Sequence, residues 1–381
     1  MRLPLAALAP LCLLAGACSG TDTTDTEQSE NTAPVADPNG ADSMSSSNGA
    51  PSPETIADSE QRPVMQMQVV LERLGFAPGV IDGKQGASFA NAIRGFQEAR
   101  SLPVTGELDK ATSAALGEWN TIPATRIVTI PKEWSQTTFA KLPESPADQA
   151  KLEALAYESL VEKLAERFHT TPEVLARLNP GGKPVGASSA AATPVREDAA
   201  VPAFAPGQTV RVPNVGADRI DASTVDNKAW LETLRSLGVG TDQPEAARLV
   251  VDESEGWLKV FDGGDKLVAM FTVTTGSRHD PLPIGNWGIK GKAYNPTYAY
   301  DPALLRDAPE SNGKHQLPPG PNGPVGVVWI DLTKDHYGIH GTPAPETIGR
   351  AQSNGCVRLT NWDAARLAQM VSGSTKVEFR K

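Results

Sequence analysis

Apolar residues fall into three textures along the chain. The first is an uncharged apolar stretch, Leu3 to Ala17, after which large apolar side chains nearly vanish between Ser19 and Pro63. From Val64 to Gly117 they return at the spacing of one helix face: Met67, Val70, Leu71 and Leu74, then Phe89, Ile93 and Phe96, then Leu108, Ala111, Ala115 and Leu116. Gly75 ends the first stripe, and Asp82-Gly83 and Val104-Thr105-Gly106 punctuate the rest. A second helical region carries Leu160, Leu164 and Phe168, with a helix start at Thr171-Pro172 and a short helix expected around Trp230 to Leu237. Beyond Arg248 the pattern turns to strands. Arg248 to Asp252, Trp257 to Phe261 and Leu267 to Phe271 are strand-like, and Asp262-Gly263-Gly264-Asp265 joins the last two as a hairpin. Val325 to Leu332 and Tyr337 to His340 are further strands, and Asn361 is expected to cap a closing helix that packs Ala364, Leu367, Ala368 and Val371 on one face, with Trp362 in the core.

Length changes the picture first. At 381 residues the chain exceeds one ordinary core, so two or three compact units joined by linkers are expected. The hydrophobic share of 39% and charged share of 21% are those of globular domains, while 34 Gly and 32 Pro imply many turns and linkers. A formal charge of −10 with no local run of Lys and Arg excludes a nucleic-acid partner.

The stretch after Met1-Arg2 is too short and too broken by Pro4 and Pro10 to span a bilayer, and reads as an export signal over residues 1–18. Its end, Leu14-Ala15-Gly16-Ala17-Cys18, resembles the lipobox of bacterial lipoproteins, which implies lipidation at Cys18; Ala15-Gly16-Ala17 also fits a plain secretory cleavage site. Residues 19–63 read as a disordered tether, too poor in apolar side chains to offset ordering. Among the 3 cysteines, Cys12 leaves with the signal and Cys18 sits at the new terminus, so Cys356 is the thiol left in folded sequence. In an exported chain an unpaired thiol is a reactive or intermolecular candidate, set against an inert buried Cys.

Residues 64–118 resemble the three-helix peptidoglycan-binding module of wall enzymes, carried by the two Gly turns with Phe96-Gln97 between them. Within 155–214, Leu178-Asn179-Pro180 and Pro206-Gly207-Gln208-Thr209-Val210-Arg211-Val212-Pro213 resemble a LysM glycan-binding repeat, interrupted by an Ala/Ser/Pro-rich insert from about Gly181 to Pro202. A helix–strand spacer without ligand is the other reading of that segment.

Ile339-His340-Gly341-Thr342, followed after a loop by Ser353-Asn354-Gly355-Cys356-Val357-Arg358-Leu359, resembles the signature of the YkuD-like L,D-transpeptidase catalytic domain, with the likeness extending over 246–381. The residues support that assignment independently. A thiol reacts as thiolate and needs a base or a cation to become one near neutral pH, and His is the side chain that titrates there unperturbed. Of the 5 histidines, His340 ends an apolar strand and precedes a Gly, where an imidazole can face a cleft; a hydrogen-bonded core His is the alternative. Gly355 leaves room beside the nucleophile, and the N–H groups of Gly355 and Cys356 are candidate oxyanion donors. If Cys356 to Thr360 is extended, Cys356 and Arg358 share one face while Val357 and Leu359 enter the core. Arg358 then either holds a substrate carboxylate or favours the thiolate.

The fold class expected is therefore multidomain: a small all-α peptidoglycan-binding module, an α/β LysM-like segment and a C-terminal mainly-β L,D-transpeptidase catalytic domain. The resemblance implies Cys356 as nucleophile, His340 as base oriented by the Gly341 carbonyl, and Ser353, Asn354 and Arg358 near the substrate. It implies acyl transfer from a tetrapeptide stem of peptidoglycan to an amine, with no cofactor and no metal. His336 and His340 are the nearest approach to a metal pair and lack a clear third ligand. Partners implied are stem peptides, glycan and, through Cys18, the outer-membrane lipid of a periplasmic location. An L,D-carboxypeptidase and a non-catalytic wall-anchoring lipoprotein are the competing functions.

Overall fold

The computed structural model describes residues 56–187, 201–216, 219–305, 308–353 and 355–381. The signal, Cys18, most of the tether, most of the insert after Gly181 and Asn354 lie outside the described residues.

The first described elements are α1 (Pro63–Arg73), the two-residue β1 (Phe76–Ala77), α2 (Ala87–Ala99) and α3 (Lys110–Ala115). Each glycine turn of this module is held by a buried glutamine. Gln68 accepts from the Gly83 amide at 2.7 Å and donates to Asp82, and Gln97 accepts from the Thr105 and Gly106 amides, both at 2.9 Å. Buried turn amides need such partners, which explains why the Gly turns and Phe96-Gln97 occur together.

Next come β2 (Thr125–Thr129), α4 (Pro146–Gln149), α5 (Leu160–Arg167), α6 (Pro172–Leu178), β3 (Thr209–Pro213) and α7 (Lys228–Leu237). β2 and β3 pair antiparallel, Ile127 against Arg211, so the segment with the interrupted repeat is completed by a strand upstream of it, with α4, α5 and α6 between the two strands. β2 has no counterpart in the sequence reading.

The C-terminal region holds β4 (Arg248–Asp252), β5 (Trp257–Phe261), β6 (Leu267–Thr272), β7 (Gly285–Tyr294), β8 (Tyr298–Tyr300), β9 (His315–Leu317), β10 (Val328–Leu332), β11 (Gly338–His340), β12 (Val357–Arg358), α8 (Asn361–Met370) and β13 (Lys376–Arg380). β8 and β9 form a separate hairpin. The other strands join one nine-stranded sheet ordered β1-β6-β5-β4-β13-β7-β10-β11-β12. The hairpin expected at 257–271 is present, and the strands β7 and β13 were not anticipated.

The sheet does not belong to the C-terminal region alone. β1 extends it in parallel with β6, Phe76 against Met270. Leu249, Val251, Leu258 and Val260 face a core shared with α7 and α8, while Val250, Trp257, Leu267 and Met270 face one shared with α1, α2, α5 and α6. Gly95 permits that close approach, because a Cβ there would lie 2.7 Å from the Met270 sulfur. The module is thus not a separable bead on a linker: deleting 64–117 would uncover four apolar side chains of the sheet.

The same layering corrects the expectation for α8. Its cap is Thr360, whose hydroxyl accepts from the Asp363 amide at 3.1 Å, and Asn361 is a fully buried first-turn residue. Nor is one face packed and the other wet: Asn361 to Ala368 are all buried. The outer side is covered by Glu72 of α1, which pairs with Arg366 at 3.1 Å and His169 at 2.9 Å, and the His169 ring stacks on Trp362 at 5.0 Å. Glu166 of α5 completes the seam, accepting from the Asn361 amide at 2.9 Å and the Tyr157 hydroxyl at 2.8 Å.

Burial, opposed by the hydrogen bonds from Tyr157 and Asn361, lifts the Glu166 carboxyl to about 8. In an unfolded chain such a group ionises at about pH 4.3, so between those values unfolding releases a proton and Glu166 lowers stability as pH rises. Glu166→Gln removes that titration. Its melting temperature relative to wild type is expected to climb steadily from about pH 5 to pH 8 in calorimetric scans; a flat or falling difference would show that the carboxyl is not held protonated.

Candidate active site

Where the sheet ends at β12, a two-residue parallel register sets the chemistry: Ile339 lies against Val357 and His340 against Arg358. On its other side β12 is bridged by Thr274, two residues past β6, through the Thr274 amide to the Arg358 carbonyl at 3.0 Å and the Arg358 amide to the Thr274 carbonyl at 2.8 Å. So short a strand would fray alone, and backbone pairing on both flanks holds it. Val357 and Leu359 are fully buried while Cys356 and Arg358 remain partly accessible, in line with the alternation expected.

His340 is buried at 4% exposure, its ring stacked on Trp329 at 5.4 Å. Nδ1 lies 2.7 Å from the Gly341 carbonyl oxygen. A carbonyl only accepts, so Nδ1 carries the proton and Nε2 presents a lone pair. Burial, reinforced by the Arg358 charge and only partly offset by the Gly341 carbonyl, lowers the imidazole from its ordinary 6.5 to about 4. It is therefore neutral at physiological pH.

Cys356 is the free cysteine of the described residues, and its Sγ faces the backbone before His340, donating weakly to the His336 carbonyl at 3.9 Å. Burial pushes the thiol up; the Gly338 backbone and the Arg358 charge pull the other way and do not cancel it. Imidazole and thiol thus both rest uncharged, the opposite of a preformed ion pair. Gly355 precedes the thiol at φ +98, and a Cβ there would lie 2.6 Å from the Tyr337 ring, so both conformation and space exclude a side chain.

Ser353 is 3% exposed, and its hydroxyl donates to the Cys356 carbonyl at 2.6 Å. Its hydroxyl hydrogen is used in holding the turn that carries the thiol. Arg358 is half-buried with Nε enclosed and unpartnered among the described residues, a cation with donor capacity to spare. His336 meets His340 in no metal site: among the described residues no three His, Cys, Asp or Glu side chains cluster.

Sequence reasoning missed the aromatic surround. Tyr298 of β8 has its hydroxyl raised, by burial first and by the neighbouring Cys356 second, with Arg358 opposing. Tyr337 roofs Gly355 and Trp329 backs His340. Trp329 stands one strand from His340 in the Val325 to Leu332 run, and Tyr337 opens the Tyr337 to His340 run, which were the available signals; Tyr298 comes from a segment that the sequence reading left without an element.

A free thiol just before β12 and a tautomer-fixed imidazole at the end of the paired β11 are the groups that cysteine acyltransferases use. Comparison with known proteins is specific to that type. Residues 246–379 match the YkuD family, described as "L,D-transpeptidase catalytic domain", and residues 60–116 match the family described as "Putative peptidoglycan binding domain". The "Putative L,D-transpeptidase YkuD" of Bacillus licheniformis is 51% identical over 61 residues, 16% of this chain and 37% of that protein. The "Probable L,D-transpeptidase YbiS" of Escherichia coli is 33% identical over 137 residues, 34% of this chain and 44% of that protein. A "Putative L,D-transpeptidase" of Fuscovulum blasticum is 29% identical over 183 residues, 46% of this chain and 90% of that protein. The chain spans 37% to 60% of the length of the first curated relatives it matches. It carries a YkuD L,D-transpeptidase catalytic domain behind a peptidoglycan-binding domain.

The resting protonation state is directly testable. Because burial raises the thiol, alkylation of Cys356 by iodoacetamide should reach its half-maximal rate at a higher pH than a small model thiol run in parallel, read by peptide mass mapping. A half-rise below the model thiol would mean a thiolate–imidazolium pair.

Proposed function

We propose that the protein is a peptidoglycan L,D-transpeptidase in which Cys356 forms a thioester with a tetrapeptide stem and His340 is the general base. The observation that supports it most is the Nδ1–H of His340 bound to the Gly341 carbonyl at 2.7 Å, which leaves Nε2 free to accept on a strand paired with the one that follows Cys356. In this reading a rotation about the Cys356 side chain brings Sγ from the His336 carbonyl to Nε2. Nε2 takes the thiol proton as sulfur attacks the carbonyl at the L centre of diaminopimelate. The tetrahedral oxyanion is met by the Gly355 and Cys356 amides. Collapse breaks the bond to D-alanine, whose amine leaves with the proton from the imidazole. An acceptor amine then attacks the thioester, loses its proton to Nε2 and restores the thiol. Arg358 receives a substrate carboxylate, consistent with its unpartnered Nε. Asn354, beside the nucleophile, lies outside the described residues and keeps its proposed place near the substrate.

The peptidoglycan-binding match supports the wall as the site of action. We read β2, α5, α6 and β3 as LysM-like on the α5–α6 helix pair and the antiparallel β2–β3 pair, with glycan contact as the proposed role. Export and attachment to the outer membrane through lipidated Cys18 complete the proposal; no helix of the described residues is long and apolar enough to cross a membrane. Cys18→Ala should move the protein from the membrane to the soluble fraction, and unchanged partition would refute that anchor.

Digestion of purified peptidoglycan with signal-free protein, followed by mass analysis of stems, tests the function. Loss of D-alanine with new cross-links supports a transpeptidase, loss of D-alanine without them a carboxypeptidase, and unchanged stems the non-catalytic anchor. A carbapenem offers a strained carbonyl to the same thiol and should add once, at Cys356. Cys356→Ala should abolish adduct and turnover, while His340→Ala slows acylation by about 10² to 10⁴-fold, as expected for loss of a general base. Since His340 protonates at about 4, the acylation rate should rise as pH increases through that value and then level. A rise centred near the ordinary imidazole value would contradict the buried neutral base.

A further inference from the structure

We propose that Glu166, on the helix α5 outside the matched catalytic domain, is a positioning residue for His340 and acts on it through Asn361. This rests on the reading of His340 as general base.

The chain of contacts is continuous. Gly341, whose carbonyl fixes the His340 tautomer, is backed by the Asn361 side chain: a Cβ on Gly341 would overlap Asn361 Oδ1 and stand 3.3 Å from its Cα. A Cβ on Gly326 would overlap the same oxygen, so two glycines from two segments make room for one amide. Oδ1 accepts from the Val327 amide at 3.2 Å, which ties it to the lead-in of β10, and β10 carries Trp329 behind the imidazole. Nδ2 has two hydrogens, one given to Glu166 at 2.9 Å and one to the Pro321 carbonyl at 3.0 Å. The orientation of the amide is therefore set from one side by the sheet and from the other by α5.

Asn361 is completely buried, so no water can replace a lost partner, and a freed amide would relax toward another acceptor. Its Oδ1 abuts the Gly341 backbone, so that relaxation displaces the carbonyl on which the tautomer depends. Glu166 in turn is held by Tyr157, on the segment leading into α5, and that segment pairs with the loop carrying Pro321: the Leu155 amide donates to the Pro319 carbonyl at 2.8 Å and the Asn322 amide to the Leu155 carbonyl at 3.0 Å. Residues 155–166 thus act as a brace that clasps both partners of Asn361. The catalytic domain borrows the last constraint on its base from the unit that precedes it.

The test uses the full signal-free chain and carbapenem acylation of Cys356. Glu166→Met replaces a buried carboxyl with an apolar side chain of similar length, removing the acceptor with little change in volume. It is expected to slow acylation by about tenfold or more and to shift the acid limb of the rate profile, because imidazole whose Nδ1 partner wanders titrates differently. Glu166→Gln keeps the acceptor and should restore the wild-type rate and profile. Asn361→Ala should be slow as well, and the double variant Glu166→Met/Asn361→Ala no slower than Asn361→Ala, since two residues acting through one contact are not additive. Should Glu166→Met fail to fold, Glu166→Leu, which also removes the acceptor, takes its place in the same comparison. Wild-type rate and profile in Glu166→Met, additive losses in the double variant, or Glu166→Gln as slow as Glu166→Met would overturn the proposal. Failure of wild type itself to acylate would instead sink the reading of Cys356 and His340, and is scored first.

Discussion

Two residue pairs, Ile339 with Val357 and His340 with Arg358, fix the register between the strand that carries the imidazole and the strand that follows the thiol. Everything around them serves to keep that short parallel register from slipping. β12 has only two residues, and a strand of that length is marginal without neighbours on both sides. Thr274 supplies the second side, and the Ser353 hydroxyl fastens the Cys356 carbonyl so that the turn cannot peel away. The apolar side chains Val357 and Leu359 pin the strand into the core from below. Slipping by one residue would turn those two to solvent and drive Cys356 and Arg358 inward, a cost the fold avoids by burying the correct pair completely.

The helix after that strand transmits the constraint outward. α8 follows β12 within three residues and is buried on all sides, so its position depends on both layers that enclose it. On one side is the sheet; on the other are α1, α5 and the His169 turn, joined through Glu72, Arg366, Asn361 and Glu166. Buried charges cost far more than surface ones unless they are paired, so such a seam demands one arrangement rather than several. What it contributes is definition of geometry, and the residue next in line from α8 is Gly341, the partner of the imidazole.

How much of this was legible follows from where each signal sits along the chain. Cys356, His340 and Arg358 could be singled out because Gly341 directly follows the imidazole, Gly355 directly precedes the thiol and Arg358 stands two residues after it. The hairpin at 257–271 was readable because its turn is local. The run Leu249-Val250-Val251 carried a further message, since continuous apolar residues in a strand imply cover on both faces; the second cover proves to be the N-terminal module. β7 escaped because its three glycines and two lysines leave few large apolar residues to mark its alternation, and β2 because its partner β3 lies far along the chain beyond the insert. The capping assignment of Asn361 failed for a similar reason. Asn suits a cap in local terms, but Thr360 takes the cap while Asn361 answers to Glu166 and Pro321, which no local rule could supply.

Arg358 draws the electrostatics together. Its charge pulls the thiol toward thiolate and the imidazole away from imidazolium, so it assists one half of the proton transfer and opposes the other. With burial acting against charge on both groups, the resting site stays neutral. An anion placed on the enclosed Nε would cancel much of the field at His340 and raise the basicity of the imidazole, while removing some of the support for thiolate.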